Sequence, residues 1–157
     1  MLCIVRCAQL TSINKYNEII NKIGNALHLT PYENGPVKYF SNIVENNVPE
    51  CVFPSVSGWL AGFRDAQFVV TDSFHGTVFS ILLSSHNFYS YIAPTNKRGA
   101  RITDLLETFG LSDHLLCSSL KESYQQLSSN VPSKEIITKI FQCEQEKSRQ
   151  FLDKYIQ

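Results

Sequence analysis

The chain has 157 residues, enough for one domain that buries roughly 70% of its unfolded surface without disulfide or metal support. Its 14 basic and 14 acidic side chains cancel to a formal charge of zero, which removes the basic excess a dedicated nucleic-acid binder needs. With 18% charged and 43% apolar residues, disorder is excluded and a surface that expects a partner is implied.

Five cysteines, Cys3, Cys7, Cys51, Cys117 and Cys143, are scattered and odd in number, with no CxxC pair. Cys3 and Cys7 have the first gap of a CxxxCxxC cluster motif, but its third position is Leu10, so iron–sulfur ligation is not expected and no metal is implied. Reduced cytosolic thiols are the simpler reading. In the amino-terminal MLCIVRCAQL, Arg6 interrupts the apolar run, and no stretch approaches the ~20 apolar residues of a membrane span. The expectation is a soluble, cytoplasmic protein.

Residues 1–10 read as a strand and a polar turn. Lys15 to Leu27 then follow helical spacing, with Ile19, Ile20, Ile23 and Leu27 on one face and Gly24 as a flaw. Residues 30–50 carry Pro31, Gly35, Pro36 and Pro49 and read as loop around one short strand near Val37–Phe40. Pro54-Ser55 opens a helix with Ser55 as N-cap, and Trp59, Leu60 and Phe63 recur at helical spacing through Arg64. Gln67 to Thr71 is a short β-rich run of the kind buried on both faces.

Asp72 to Gly76 reads as a turn, Thr77 to Leu83 as an apolar helix, and Phe88 to Ile92 as the next strand. Pro94 to Arg101 is a basic loop, followed by an amphipathic helix through Phe109 that Gly110 stops from the C′ position. Pro132-Ser133 starts a last helix that runs to Tyr155. Ile136, Ile137, Ile140 and Phe141 lie at one end, Phe151, Leu152, Tyr155 and Ile156 at the other, with the charged EQEKSRQ between. Two apolar ends and a solvated middle suit a helix that bridges two bodies.

Alternating strands and helices predict an α/β fold with a parallel sheet. Ligands of such sheets bind beyond the carboxyl ends of strands, where the next helices begin. Asp72, Ser73, Phe74, His75 and Gly76 fall there. The unpaired first amides of the following helix would favour a phosphate or carboxylate. Gly76 allows close backbone approach, and His75 can exchange a proton near neutral pH. Taken residue by residue the pattern is also compatible with plain structure: Ser73 as a cap, Asp72 as a strand end, His75 as a packed histidine. Neither a GxxxxGK[ST] phosphate loop nor a GxSxG elbow is present.

The stretch PSVSGWLAGFRDAQFVVTDSFHGTVFSILL, followed by a strand, an arginine-bearing loop and DLLETFGLSDHLL, resembles the carboxyl-terminal half of the polysaccharide pyruvyl transferase family. The resemblance is strongest over 54–116 and looser over 15–53. It implies a Rossmann-like sheet domain paired across a cleft with a second one, as in GT-B glycosyltransferases. The reaction implied is transfer of pyruvate from phosphoenolpyruvate to a sugar of a capsular, cell-wall or other surface polysaccharide as a ketal. No cofactor is implied, since phosphoenolpyruvate is the donor substrate.

By the same resemblance, His75 and Asp72 would be catalytic, and Ser73, Phe74, Gly76 and Thr77 would contact phosphoenolpyruvate. Three departures matter. Many relatives carry Arg-Leu-His where this chain has Ser73-Phe74-His75, which leaves a phosphate-binding arginine to be replaced, with Arg98 and Arg101 as candidates. An Asn-Lys-Pro-Phe-like run is Ser85-His86-Asn87-Phe88 here, and an Asp-Arg pair is Asp113-His114.

By the resemblance, the family's amino-terminal domain is expected to be absent from this chain. Residues 1–132 are expected to form the donor-binding domain and 133–157 the bridging helix, with the missing half or another protomer as partner. The acceptor expected is a sugar or lipid-linked oligosaccharide, handled in the cytoplasm or peripherally at the inner membrane face. The competing readings are a GT-B glycosyltransferase half that binds a nucleotide sugar, and a non-catalytic remnant that serves as an interaction domain.

Overall fold

The computed structural model describes residues 2–5, 13–34, 37–38, 51–52, 55–83, 86–92, 99–116 and 129–156. In chain order the elements are β1 (Leu2–Val5), α1 (Ile13–Leu27), β2 (Pro31–Glu33), β3 (Val37–Lys38), β4 (Cys51–Val52), α2 (Val56–Asp65) and β5 (Phe68–Thr71). They continue with α3 (Phe74–Leu83), β6 (Asn87–Tyr91), α4 (Ala100–Thr108), a 3-10 turn (Ser112–His114), β7 (Leu115–Leu116) and α5 (Lys134–Tyr155).

Five strands form one sheet in the order β2-β1-β5-β6-β7, every neighbouring pair parallel. The chain therefore leaves β1 toward one edge, through α1 to β2, and later resumes on the other side of β1 at β5. That reversal makes the gap between β1 and β5 the topological switch point, where open α/β sheets hold ligands. β3 and β4 form a separate antiparallel pair, with Val37 opposite Val52 and Lys38 opposite Cys51.

β5 and β6 are buried at every position, as strands covered on both faces must be. Alternation divides their side chains between two apolar clusters. Phe68, Val70, Tyr89 and Tyr91 meet Ile20 and Ile23 of α1, with the Phe68 and Tyr89 rings stacked at 5.8 Å. Val69 and Phe88 face the opposite way, toward Phe63 of α2, Ile81 of α3, and Ile102 and Leu106 of α4. Trp59 joins α2 to α3 by edge contacts with Phe63 at 4.7 Å and Phe79 at 5.1 Å.

Buried Asn34, just past β2, ties that edge to α2. Its amide donates to the Trp59 carbonyl at 2.8 Å, and the Trp59 indole donates to the Asn34 carbonyl at 3.2 Å. A Cβ on Gly62 would sit 2.3 Å from the Asn34 amide, so this helix can lie against it only through a glycine.

The helix ends follow local chemistry. Ser55 caps α2, its Oγ accepting from the Gly58 amide at 3.1 Å, as its sequence position suggested. α4 ends in a Schellman motif: Gly110, at φ +66, donates to Glu107, and Leu111 donates to Leu106. α1 ends similarly without a glycine. His28 takes the left-handed conformation at φ 53 while Leu29 donates back to Gly24, and histidine is among the residues that tolerate it.

Several expectations change. β2 lies in what read as loop. It opens on proline, spans three exposed residues and occupies a sheet edge, the one place where strand propensity and alternation carry least information. The strand near Val37–Phe40 is seen over Val37–Lys38, and the remainder of 39–50 lies outside the described residues, as does most of the Pro94–Arg101 loop. Arg101 belongs to the first turn of α4 rather than to that loop. α3 begins at Phe74, three residues before the expected Thr77.

α5 is capped by Ser133, whose Oγ accepts from Ile136 at 3.5 Å. Ile137 is buried in the core and Ile140 packs beside it. At the far end Phe151, Leu152, Tyr155 and Ile156 are exposed, with the Phe151 and Tyr155 rings 4.7 Å apart. Among the described residues no helix is long and apolar enough to cross a membrane. Cys143, on this helix, is a free exposed thiol.

His114 is the core's most unusual member. At 1% exposure, it stacks on Phe88 at 4.9 Å and Tyr89 at 5.1 Å, and its Nδ1 lies 2.7 Å from the Phe88 carbonyl. A carbonyl only accepts, so Nδ1 carries the proton. Asp113 turns outward to Asn130, and the Asp113-His114 pair thus fastens the end of the 3-10 turn to β6. His114→Phe should keep the stack but strand that carbonyl, a loss of about 1–3 kcal/mol, with His114→Ala losing more through the cavity. Urea midpoints of the two variants against the parent chain measure both.

Candidate anion site at the sheet switch point

The first turn of α3 is set by a buried polar network. Ser73, 7% exposed, is the N-cap: its Oγ accepts from the Gly76 amide at 3.3 Å, and its carbonyl accepts the Thr77 amide at 2.9 Å. Its own amide donates to Thr71 Oγ1 at 3.1 Å. Thr77, fully buried, donates its hydroxyl to the Ser73 carbonyl at 3.0 Å. With that proton committed, the 2.8 Å contact between Thr77 Oγ1 and Ser90 Oγ has Ser90 as donor. Strand β5, helix α3 and strand β6 are thereby joined at the carboxyl edge of the sheet.

Gly76 is required by this closeness. A Cβ there would stand 2.2 Å from Thr71 Oγ1 and 3.1 Å from Thr71 Cβ. Its small size lets the helix approach the strand.

The residues expected at the site therefore separate into two groups. Ser73, Gly76 and Thr77 are brought to the strand–helix junction but are turned inward, where they build it. Asp72, Phe74 and His75 remain toward the outside: Asp72 and Phe74 are half-buried and His75 is exposed. Arg101 joins them from α4, its guanidinium carbon 5.1 Å from the centre of the Phe74 ring. The Phe74 ring also meets the His75 imidazole edge to face, at 5.6 Å and 79°. Arg98 lies outside the described residues.

The first amides of α3 have no partner within their own helix, and the positive end of its dipole faces the same way. Among the described residues Arg101 has no carboxylate partner and His75 no hydrogen-bond partner, so Asp72 does not orient the imidazole directly. Asp72 instead acts on β6. In the register Thr71 pairs with Ser90, which puts Asp72 and Tyr91 side by side at the strand ends. Burial first, and the Asp72 charge second, push the Tyr91 phenol above its ordinary value. Among the described residues no group of three His, Cys, Asp or Glu side chains could hold a metal ion.

Helix amides without a partner in their own helix, an arginine and a histidine at the carboxyl edge of a parallel sheet are groups that can bind a small anion. The family model for polysaccharide pyruvyl transferases matches residues 7–84, which takes in α1 through α3 and the whole of the capped turn. Over that stretch the chain matches this family, a transferase family of polysaccharide chemistry. The match starts nearer the amino terminus than the 54–116 expected and ends before β6, so α4 and its arginine lie beyond it. Neither a curated protein nor a solved structure shows a significant match.

Two outcomes follow from the junction. Gly76→Ala should cost about 1–3 kcal/mol through overpacking, and less in a Thr71→Ala background, because the two changes share one contact; urea titration of the four proteins measures the coupling. Tyr91 has a native pKa above its unfolded value near 10. Its contribution is complete below about pH 10 and is lost as pH rises through the higher native value. Tyr91→Phe should thus flatten the fall in urea midpoint between about pH 8 and pH 11.

Proposed function

We propose that this chain carries the donor-binding half of a pyruvyl transferase of GT-B-like organisation, taking phosphoenolpyruvate as donor and a sugar of a surface polysaccharide precursor as acceptor. The observation that carries this reading is the convergence of Arg101 and His75 on Phe74 at the start of α3. Phosphoenolpyruvate is small, carries a phosphate and a carboxylate, and has no base or ribose to be stacked. Helix amides and a guanidinium suit such a polyanion.

The chemistry assigns roles to the groups present. A proton is added to the methylene carbon, leaving positive charge on the carbon that bears the phosphate ester oxygen. One sugar hydroxyl attacks that carbon and gives up its proton, and the carbon–oxygen bond to phosphate then breaks. A second hydroxyl closes the ketal as its proton leaves, and inorganic phosphate is the other product. His75, exposed and within the first turn of α3, is the acid or the phosphate contact. Asp72, a half-buried carboxylate one strand end away, is the base for the sugar hydroxyl. Arg101 holds the leaving phosphate, in the role relatives give an arginine at the position of Ser73.

The acceptor side of the cleft is assigned to a second body, the family's other domain or another protomer. The exposed Phe151, Leu152, Tyr155 and Ile156 at the far end of α5 support that assignment, since single aromatic residues are common on surfaces but such a cluster is not.

Isothermal titration of the full chain should show binding of phosphoenolpyruvate and none of a nucleotide sugar. His75→Ala should weaken the former about tenfold. Binding of the nucleotide sugar alone would replace this reading with the glycosyltransferase one, and binding of neither would leave an interaction domain.

A further inference from the structure

We infer that Phe74 is a positioning residue: its ring holds the Arg101 guanidinium at the anion site, so that donor affinity depends on an aromatic side chain that makes no polar contact itself. The inference rests on the anion-binding reading above and specifies how this chain supplies its cation.

Phe74 is half-buried and packs against the cluster formed by Phe63, Ile81, Ile102 and Leu106. The ring is therefore fixed from below by the core, as an exposed ring would not be. Arg101 Cζ lies over it at 5.1 Å, within the ~6 Å range of a cation–π contact. Arg101 itself is exposed, on a long side chain that would otherwise sample many rotamers in water. Among the described residues nothing else holds it: it has no carboxylate and no hydrogen-bond acceptor.

The mode of contact matters as much as its existence. A guanidinium resting on an aromatic ring uses its face there and keeps its N–H edges for an anion. A carboxylate partner would have consumed those same edges and cancelled the charge. Holding the cation on a ring thus orders it while leaving both its donors and its charge available, which is preorganisation of a binding group. The position suits an anion as well, because Phe74 is the first residue of α3, where the first amides lack partners in their own helix. The same ring also meets the His75 imidazole at 5.6 Å.

A double-mutant cycle on the full chain tests this, with inorganic phosphate and phosphoenolpyruvate as separate probes in calorimetric titrations. Phe74→Leu, which keeps the core contact and removes the π face, should weaken both anions about three- to tenfold. Arg101→Ala should weaken them at least as much, and Phe74→Leu should add little in the Arg101→Ala background. Phe74→Tyr should restore nearly full affinity. Equal losses from Phe74→Leu with and without Arg101 would overturn the inference, as would failure of the tyrosine to rescue. A parent chain that binds neither anion overturns it as well. If phosphate binds and responds to the variants while phosphoenolpyruvate binds no better than phosphate, the positioning role stands and the donor assignment falls.

Discussion

Everything at the candidate site depends on how closely α3 meets β5. Gly76 is the residue through which they touch, and the space it leaves is filled by the Thr71 hydroxyl. Around that contact the inward polar groups of the turn, the Ser73 and Gly76 amides and the Ser73 carbonyl, are paired through Thr71, Ser73 and Thr77, with Ser90 joined to Thr77. A network of this kind is valuable in a low-dielectric interior only when its members are satisfied. Here they are, and the helix start is held at the carboxyl edge of the sheet with little freedom to tilt. The outward amides, the Phe74 ring and His75 inherit that rigidity, because they belong to the same turn.

The two-faced sheet explains why this edge is the candidate one. α1 covers one face, and α2, α3 and α4 cover the other. Reversal of the chain between β1 and β5 sends the helices that follow them to opposite faces of the sheet, the arrangement in which open α/β sheets hold ligands at the carboxyl ends of their strands. A net charge of zero gives no long-range field for a polymeric anion, while a single arginine and a helix terminus act over only a few ångströms. Discrimination between small anions then falls to local geometry.

Much of the frame was readable from residue pattern. The buried central strands announced themselves as continuous β-rich runs, and Ser55, Gly110 and Ser133 marked helix ends by chemistry that needs no tertiary context. β2 was not readable, because an edge strand of three exposed residues has neither alternation nor an apolar run. The start of α3 was misjudged for a related reason. Phe-His-Gly looks like a turn, and only the inward rotation of Ser73 onto the Gly76 amide turns it into the first turn of a helix. The same rotation separates two roles that the motif merges: Ser73, Gly76 and Thr77 build the junction, while Phe74 and His75 face away from it. A sequence motif records that all of these residues are needed, not which side of the backbone each one serves. The pairing of Arg101 with Phe74 spans 27 residues and two helices, and no local rule would have singled it out from the other basic residues.

Ser73 also changes how the missing arginine should be understood. At a position only 7% exposed, the Ser73 hydroxyl accepts from a helix amide and brings no positive charge. A cation destined for the same anion must then come from an element that approaches the turn from outside. α4 does so, since Ile102 and Leu106 bury its apolar face in the cluster that also supports Phe74. One turn of that helix therefore fixes two things together: the floor beneath the aromatic ring and the arginine above it. Ser73 and Phe74 thus divide the work of the turn between them. The serine strengthens the helix start, and the phenylalanine gives a cation from the neighbouring helix a place to rest without neutralising it.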